Sequence, residues 1–271
     1  MKKICIIRNT AGIGDILMLS PIIRELSLLN NVKIDFYTNM SFISEIKVLH
    51  KNPFISAVYD FKSLKHQMYD EIYDLSYVAY AYEQAGYALS RQEIFAKYCK
   101  VIPSSYLPVY NNRISYAYKK KTIAIHTESA ELRRTWPYEY TISLIKWILN
   151  NTEFNIIYLN QKPCEIKNKR IKDYSNCEVD KCVQFLSGAD LLICVDSCFM
   201  HFAAMLKVKS LVLFGSTKPN LRLKHYPTHK ALYTSVKCKG CFYKDCNNFL
   251  CMKEIKPIQV VREIKNYAFL F

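Results

Sequence analysis

The sequence predicts an α/β protein of two domains facing a central cleft, and three observations carry that prediction. Its 271 residues are long for one domain and suit two, each able to bury its own core. In both halves short apolar runs alternate with stretches of helical period, a strand leading every unit, which is the pattern of parallel sheets. Each half also has strands that stop at turns rich in glycine or small polar residues, where open α/β sheets bind their ligands.

The first half opens with a strand over residues 3–8 and a turn over 9–14. An amphipathic helix from about Asp15 or Ile16 to Leu29 and a strand from Lys33 to Thr38 complete a βαβ unit with a right-handed crossover. Further strands are predicted at Val58 to Phe61 and Glu71 to Leu75, with a helix at Arg91 to Lys100. The tyrosine-rich stretch 69–87 admits a stacking surface for bases or sugars, but half-buried tyrosines on a strand and its following helix fit it better. Residues 103–121, with their prolines and lysine run, read as an exposed linker, so the domains are assigned to 1–118 and 119–271.

The second half restarts the pattern with a strand at Thr122 to His126 and a helix over 138–150. A strand at Asn155 to Leu159, a helix around Lys181 to Leu186, a strand over 191–195, a helix over 199–206 and a strand over 210–214 follow. Ile255-Lys256-Pro257 leads into a terminal helix.

Composition bounds the function. Apolar residues make up 51% and charged residues 23%, and no apolar run approaches the ~20 residues of a membrane span. The apolar stretch at the start is too short for a signal peptide, so the expected location is the cytoplasm. Eleven cysteines in that setting argue for reduced thiols or metal binding rather than disulfides. The net charge is +15, of which +12 lies in residues 119–271. A basic half fits a phosphorylated ligand, an anionic membrane surface or nucleic acid, but the lysines are scattered and no nucleic-acid motif is visible, which disfavours the last.

Four constellations carry chemistry. Gly12-Ile13-Gly14-Asp15 follows the first strand but lacks the third glycine of a dinucleotide fingerprint, having Leu17 there, so a nicotinamide enzyme is disfavoured. A carboxylate at that helix start would repel phosphate, yet it can accept a proton from a hydroxyl. After the second domain's first strand come His126-Thr127-Glu128-Ser129 and Arg133-Arg134-Thr135-Trp136-Pro137, where an arginine can clamp a diphosphate. Asp196-Ser197 precedes a helix containing His201, and Leu211 to Phe214 ends at Gly215-Ser216-Thr217; hydroxyls and helix N–H groups there suit an anion. The same residues also fit an ordinary N-cap and a satisfied, half-buried histidine. Finally, Cys238, Cys241, Cys246 and Cys251 fall within fourteen residues, a spacing compatible with a structural zinc or iron site and also with free thiols.

In this order the pieces resemble glycosyltransferase family nine, the bacterial heptosyltransferases of lipopolysaccharide core assembly. Residues 12–21 are similar to that family's opening motif, Arg134-Thr-Trp-Pro137 to its Lys-x-Trp-Pro motif, and Asp196-Ser-Cys-Phe-Met-His201 and Leu213-Phe-Gly-Ser-Thr-Lys-Pro219 to its donor-site loops. The resemblance implies a GT-B fold of two Rossmann-like domains, inverting transfer of heptose from ADP-heptose to a cell-envelope glycan, lipid-linked or protein acceptor, and no catalytic metal. It implies Asp15 as general base and Arg134 as the cation that neutralises the leaving diphosphate. It makes Gly14, Asp196, Ser197, Cys198, His201 and Thr217 donor-site residues, with Thr127, Ser129 and Glu165 as weaker candidates. It also implies a cytoplasmic enzyme in peripheral contact with the inner membrane. The chain departs from the family at Cys198, where a glycine is usual, at Arg134 in place of lysine, at Lys218 in place of aspartate, and in a shorter N-terminal half. These departures leave the acceptor the least transferable expectation. A rival reading of the same residues is a basic, metal-stapled binding module without turnover.

Overall fold

The computed structural model describes residues 1–111, 115–238, 240, 241 and 246–267. The chain divides into two compact units, residues 1–111 and 112–271.

Unit 1 holds a four-stranded parallel sheet. β1 (Lys2–Ile7) leads through α1 (Ile13–Ser27) to β2 (Val32–Thr38), and α2 (Ile43–Leu49) leads to β3 (Ala57–Asp60). β4 (Glu71–Asp74), α3 (Val78–Gln84) and α4 (Arg91–Tyr98) complete it. The order is β3-β2-β1-β4, so the chain turns from one side of β1 to the other, and the crevice between the ends of β1 and β4 is a topological switch point. Ile7 and Asp74 are register partners there.

α1 carries Pro21 in its interior, which removes the N–H that would bond the Leu17 carbonyl. The Ser20 hydroxyl donates to that carbonyl at 2.6 Å instead and accepts from the Val109 N–H at 2.7 Å. The expected proline break is thereby repaired, and the same hydroxyl ties the end of the unit to α1. α4 begins with a full capping box, Ser90 and Glu93 satisfying each other's backbone N–H groups.

Unit 2 is a six-stranded parallel sheet. β5 (Thr122–His126), α5 (Tyr138–Asn151), β6 (Asn155–Tyr158), β7 (Ile171–Asp173) and α6 (Val179–Leu186) form its first part. β8 (Leu191–Val195), α7 (Cys198–Leu206), β9 (Lys209–Phe214), α8 (Pro219–Arg222), β10 (His229–Tyr233), α9 (Leu250–Lys253) and α10 (Pro257–Asn266) form the second. The order β10-β9-β8-β5-β6-β7 puts the switch point between β5 and β8. Both central strands are buried along their whole length, as continuous apolar runs in parallel sheets should be. Trp136, Leu144, Ile145 and Ile148 from α5 and its entry pack with Val260, Val261 and Ile264 of α10 over β5, β8 and β9.

The exposed linker expected over 103–121 is exposed over 115–117 and 119–121, but its first part is largely covered. Its first part is strapped to unit 1, with Arg24 donating to the Ser105 carbonyl at 2.6 Å and the Asn111 N–H to the Lys51 carbonyl at 2.7 Å. Its last part lies on unit 2, where the Tyr116 N–H donates to Ser187 Oγ at 2.8 Å and the Tyr116 ring meets Phe185 edge-on. Gly188 has no room for a side chain against the Tyr116 carbonyl, 2.3 Å from where a Cβ would stand. Backbone groups of a proline-broken segment still need partners, and here neighbouring helices supply them. The division between units accordingly falls seven residues before the expected one.

Candidate functional site

In unit 1 the chain leaves β1 at Arg8 and turns at Gly12, whose φ of 138° is open only to glycine at little strain. The turn drops Gly14 and Asp15 into the first turn of α1. Asp15 is the hub of the crevice: Arg8 Nη2 lies 2.5 Å from its Oδ2 and Arg91 Nη1 2.7 Å from its Oδ1. Arg8 also donates to the Leu75 carbonyl at 2.9 Å, and Arg91 grips both oxygens of Glu83 at 2.9 and 3.0 Å. Burial alone would lower the Arg91 pKa, but Asp15 and then Glu83 raise it well above the usual arginine range. The turn is pinned from its other side by Glu45, which accepts from the Gly12 N–H at 2.9 Å. A carboxylate offers about four acceptor positions, so two guanidinium contacts orient Asp15 without exhausting its capacity to bond a hydroxyl.

In unit 2 the exits of β5, β8 and β9 and the turn Leu132–Arg134 meet at the switch point. Asp196 is buried, with Arg134 Nη1 at 3.7 Å and Arg222 Nε at 3.9 Å from its Oδ2. Burial would raise its pKa, but Arg222 and then Arg134 outweigh it and hold the carboxyl below its usual value. The Thr217 hydroxyl close by also favours the ionised carboxyl. Among the described residues, Asp196 Oδ2, Ser216 Oγ and Thr217 Oγ1 are buried with no hydrogen-bond partner. An orphaned buried polar atom costs about 1–3 kcal/mol, and three at the ends of two adjacent strands indicate a place where a polar ligand supplies the missing bonds.

The remaining predicted residues separate by role. Ser197 stands at the N-cap of α7 but makes no capping hydrogen bond; its Oγ pairs with His126 Nδ1 at 3.2 Å. Full burial pushes His126 down to about 3, so its ring is neutral, and it lies 4.1 Å from the Phe199 ring. Cys198 opens α7 beside it. His201 is buried with Nδ1 2.7 Å from the Tyr226 hydroxyl, so the satisfied-histidine reading describes its geometry, although it also helps lower the Asp196 pKa. The Thr127 hydroxyl is taken up by Thr141 at 2.8 Å and Asn160 at 3.0 Å, which ties β5's exit to α5. The Ser129 N–H donates to Thr135 Oγ1, and the Ser129 Oγ accepts from the Glu131 N–H, closing the arginine loop on itself. Trp136 anchors that loop by donating from its ring nitrogen to the Ile255 carbonyl at 2.7 Å. Glu165 is exposed and neighbours the Tyr138 hydroxyl.

Sequence reasoning named the Gly215-Ser216-Thr217 turn but missed Arg222, Arg8, Glu45, Glu83 and Arg91. Arg8 had a signal, being a cation directly after a strand; Arg222, at the end of α8, had none. Glu45, Glu83 and Arg91 had none, because only the fold brings them to Asp15.

Of the four clustered cysteines, Cys251 is buried and Cys238 exposed. Burial raises the Cys251 thiol's pKa, and Cys241, Cys238 and Cys246 add to the rise, so the four share a neighbourhood. Among the described residues, no group of three or more His, Cys, Asp or Glu side chains is gathered closely enough to hold a metal ion.

Residues 39–250 match the family model described as glycosyltransferase family 9 (heptosyltransferase). Over 104 residues the chain is 32% identical to lipooligosaccharide heptosyltransferase 2 of Campylobacter jejuni, a match spanning 37% of this chain and only a third, 33%, of the relative. In solved structures it resembles the Escherichia coli ADP-heptose lipopolysaccharide heptosyltransferase II, with a TM-score of 0.69, 15% identity and 98% of both chains covered. It also resembles the iron-containing dodecameric glycosyltransferase TibC of enterotoxigenic E. coli, with a TM-score of 0.75, 14% identity and 98% of this chain on 79% of that one. At such identities the likeness is one of fold, the GT-B type.

Proposed function

The chain belongs to glycosyltransferase family 9, and from that premise we propose that it transfers heptose from ADP-heptose, with inversion, to a hydroxyl of a cell-envelope glycan. The observation that carries this reading is the set of orphaned buried atoms, Asp196 Oδ2, Ser216 Oγ and Thr217 Oγ1, beside Arg134 and Arg222. A nucleotide diphosphate-sugar supplies the hydroxyls and anionic oxygens such a cluster lacks.

In this mechanism Asp15 takes the proton of the acceptor hydroxyl as its oxygen bonds the anomeric carbon. The bond from that carbon to the diphosphate breaks, and its electron pair leaves with ADP. Arg134 and the N–H groups at the start of α7 stabilise the charge developing on the diphosphate, so no catalytic metal is invoked. Arg8 and Arg91 act by positioning Asp15 rather than by touching substrate. The measure of this assignment is heptose transfer to a truncated lipooligosaccharide core. Asp15→Asn should abolish transfer while leaving ADP binding intact, and normal transfer by that variant would refute the base assignment. A protein hydroxyl as acceptor is the competing outcome of the same assay.

We read Cys238, Cys241, Cys246 and Cys251 as ligands of a structural zinc or iron. Their spacing and shared neighbourhood support the reading, a thiolate set of four suits a tetrahedral metal, and the relative TibC is described as iron-containing. Metal analysis of the purified protein, with Cys251→Ser as control, tests it: an equimolar metal lost in the variant is expected. Peripheral contact with an anionic membrane surface is supported by the +12 charge of residues 119–271. No helix among the described residues is long and apolar enough to cross a membrane.

A further inference from the structure

The strand exits around Asp15 carry exposed apolar side chains that the chemistry above does not use. Tyr77 is 69% exposed and Tyr80 52%, and beyond β2 Met40 is 44% and Ile43 65% exposed. Tyr77 stands at the N-cap of α3, and Tyr80 and Glu83 follow inside the helix at spacing i, i+3, as neighbours on its surface. Glu83 grips Arg91, which grips Asp15, and this places that surface beside the carboxylate. Tyr77 is brought in from its other end as well: its neighbour Ser76 accepts from the Asn9 N–H at 3.0 Å and from the Thr10 hydroxyl at 3.3 Å, in the turn that leads to Asp15. Ile43 lies two residues from Glu45, which holds the Gly12 N–H.

The charge around this rim matters as much as its apolarity. The two cations nearest Asp15, Arg8 and Arg91, face carboxylates, Asp15 and Glu83. Lys62 and Lys65 follow β3, two strands from β1 in the sheet and so roughly 10 Å to the side. An acceptor rich in carboxylates or phosphates would meet a half-buried acid and aromatic rings here.

We propose that Tyr77 and Tyr80 form the acceptor subsite and take the ring face of a neutral sugar, with Met40 and Ile43 at its other edge. The inference rests on the reading of Asp15 as the base, and it narrows the acceptor to an uncharged glycosyl unit. A sugar ring presents an apolar C–H face and polar edges, and a tyrosine offers a flat apolar body with a hydroxyl tip, so the two match without a charge on either side.

The test is saturation-transfer NMR on the full chain with ADP present. The probes are the methyl glycosides of glucose, galactose and a heptose, against the methyl glycoside of an anionic ulosonic acid. Neutral glycosides should bind in preference to the anionic one. The double variant Tyr77→Ala/Tyr80→Ala should weaken them about tenfold, as the loss of two stacking rings predicts. Tyr77→Phe/Tyr80→Phe keeps the rings and should retain binding, and ADP affinity should be unchanged in both. Preference for the ulosonic acid, or undiminished binding in the alanine variant, would overturn the proposal while leaving the donor reading intact. A dimer in light scattering that dissociates in the alanine variant would also overturn it, by assigning the face to a second copy. Failure of the wild type to bind ADP would count instead against the glycosyltransferase reading on which it rests.

Discussion

Arg91 and Asp15 stand 76 residues apart in sequence and 2.7 Å apart in the fold, guanidinium Nη1 to carboxylate Oδ1. The contact joins the start of α4 to the start of α1, and Glu83 braces the arginine from behind through both of its oxygens. A base must present its lone pair in a fixed direction, and this pair supplies the direction.

Arg91→Met should therefore damage activity and stability together. Removing one partner of a largely buried pair costs about 3 kcal/mol, the lower end of the range for such pairs. Urea unfolding should show a lower midpoint at unchanged slope, and transfer should fall with ADP affinity preserved. Arg91→Lys keeps the charge without the fork and should recover only part of both.

Arg134→Ala should act on the donor. A charge-assisted hydrogen bond to an anion is worth about 1.5–3 kcal/mol, so ADP affinity should fall by about ten- to a hundredfold. The loop that bears the residue is held by Trp136 and Thr135 and should keep its fold, but loss of the ion pair to the buried Asp196 should also lower the urea midpoint. Unchanged ADP affinity would remove Arg134 from the site.

Gly215 sets the position of the Ser216-Thr217 turn by close packing. A Cβ there would stand 2.7 Å from the Met252 sulfur and 2.8 Å from the Cys251 sulfur. Gly215→Ala should destabilise the protein by about 1–3 kcal/mol through overpacking and weaken ADP binding with it. Adding Met252→Ala should restore part of the affinity, a rescue that calorimetry would detect.

The histidines make stability fall in mild acid. Burial holds His126 at about 3 against an ordinary 6.5, and burial lowers His229 as well. For a depressed histidine the unfolded chain binds the proton first, so the contribution is complete above about pH 6.5 and declines as pH falls toward the folded value. Between pH 6.5 and about 3, His126 should lower stability by about 1.4 kcal/mol per pH unit. Urea midpoints at pH 7.5 and 5 should show the fall, and His126→Asn should flatten it.

Much of this was legible in the sequence because parallel sheets write themselves as apolar runs. β5, β8 and β9 and the turns at their exits were readable from the apolar pattern alone, and so were Asp15 as a carboxylate at a helix start and Asp196 as one directly after a strand. The short elements were not: α2 and α3 have seven residues each, too few to display a helical period, and β7 and β10 lie at the sheet's edges, where the pattern is mixed. Roles were harder to read than places. A serine before a helix looks like a cap, yet Ser197 bonds His126, and a threonine after a strand looks like a ligand, yet the Thr127 hydroxyl is held within unit 2. The tyrosines of 69–87 divide the same way: Tyr69 bonds Asp35 and Tyr37, whereas Tyr77 and Tyr80 face outward. Such choices depend on side chains brought together across the sheet.

The most direct test of the central claim is calorimetric titration of the full chain with ADP, ADP-heptose, UDP and GDP, with Asp196→Asn alongside. Selective binding of ADP and ADP-heptose, at least about tenfold weaker in the variant, is the predicted result. Binding of none of the four, or equal binding by the variant, would contradict the assignment of the Asp196, Ser216 and Thr217 cluster to the donor.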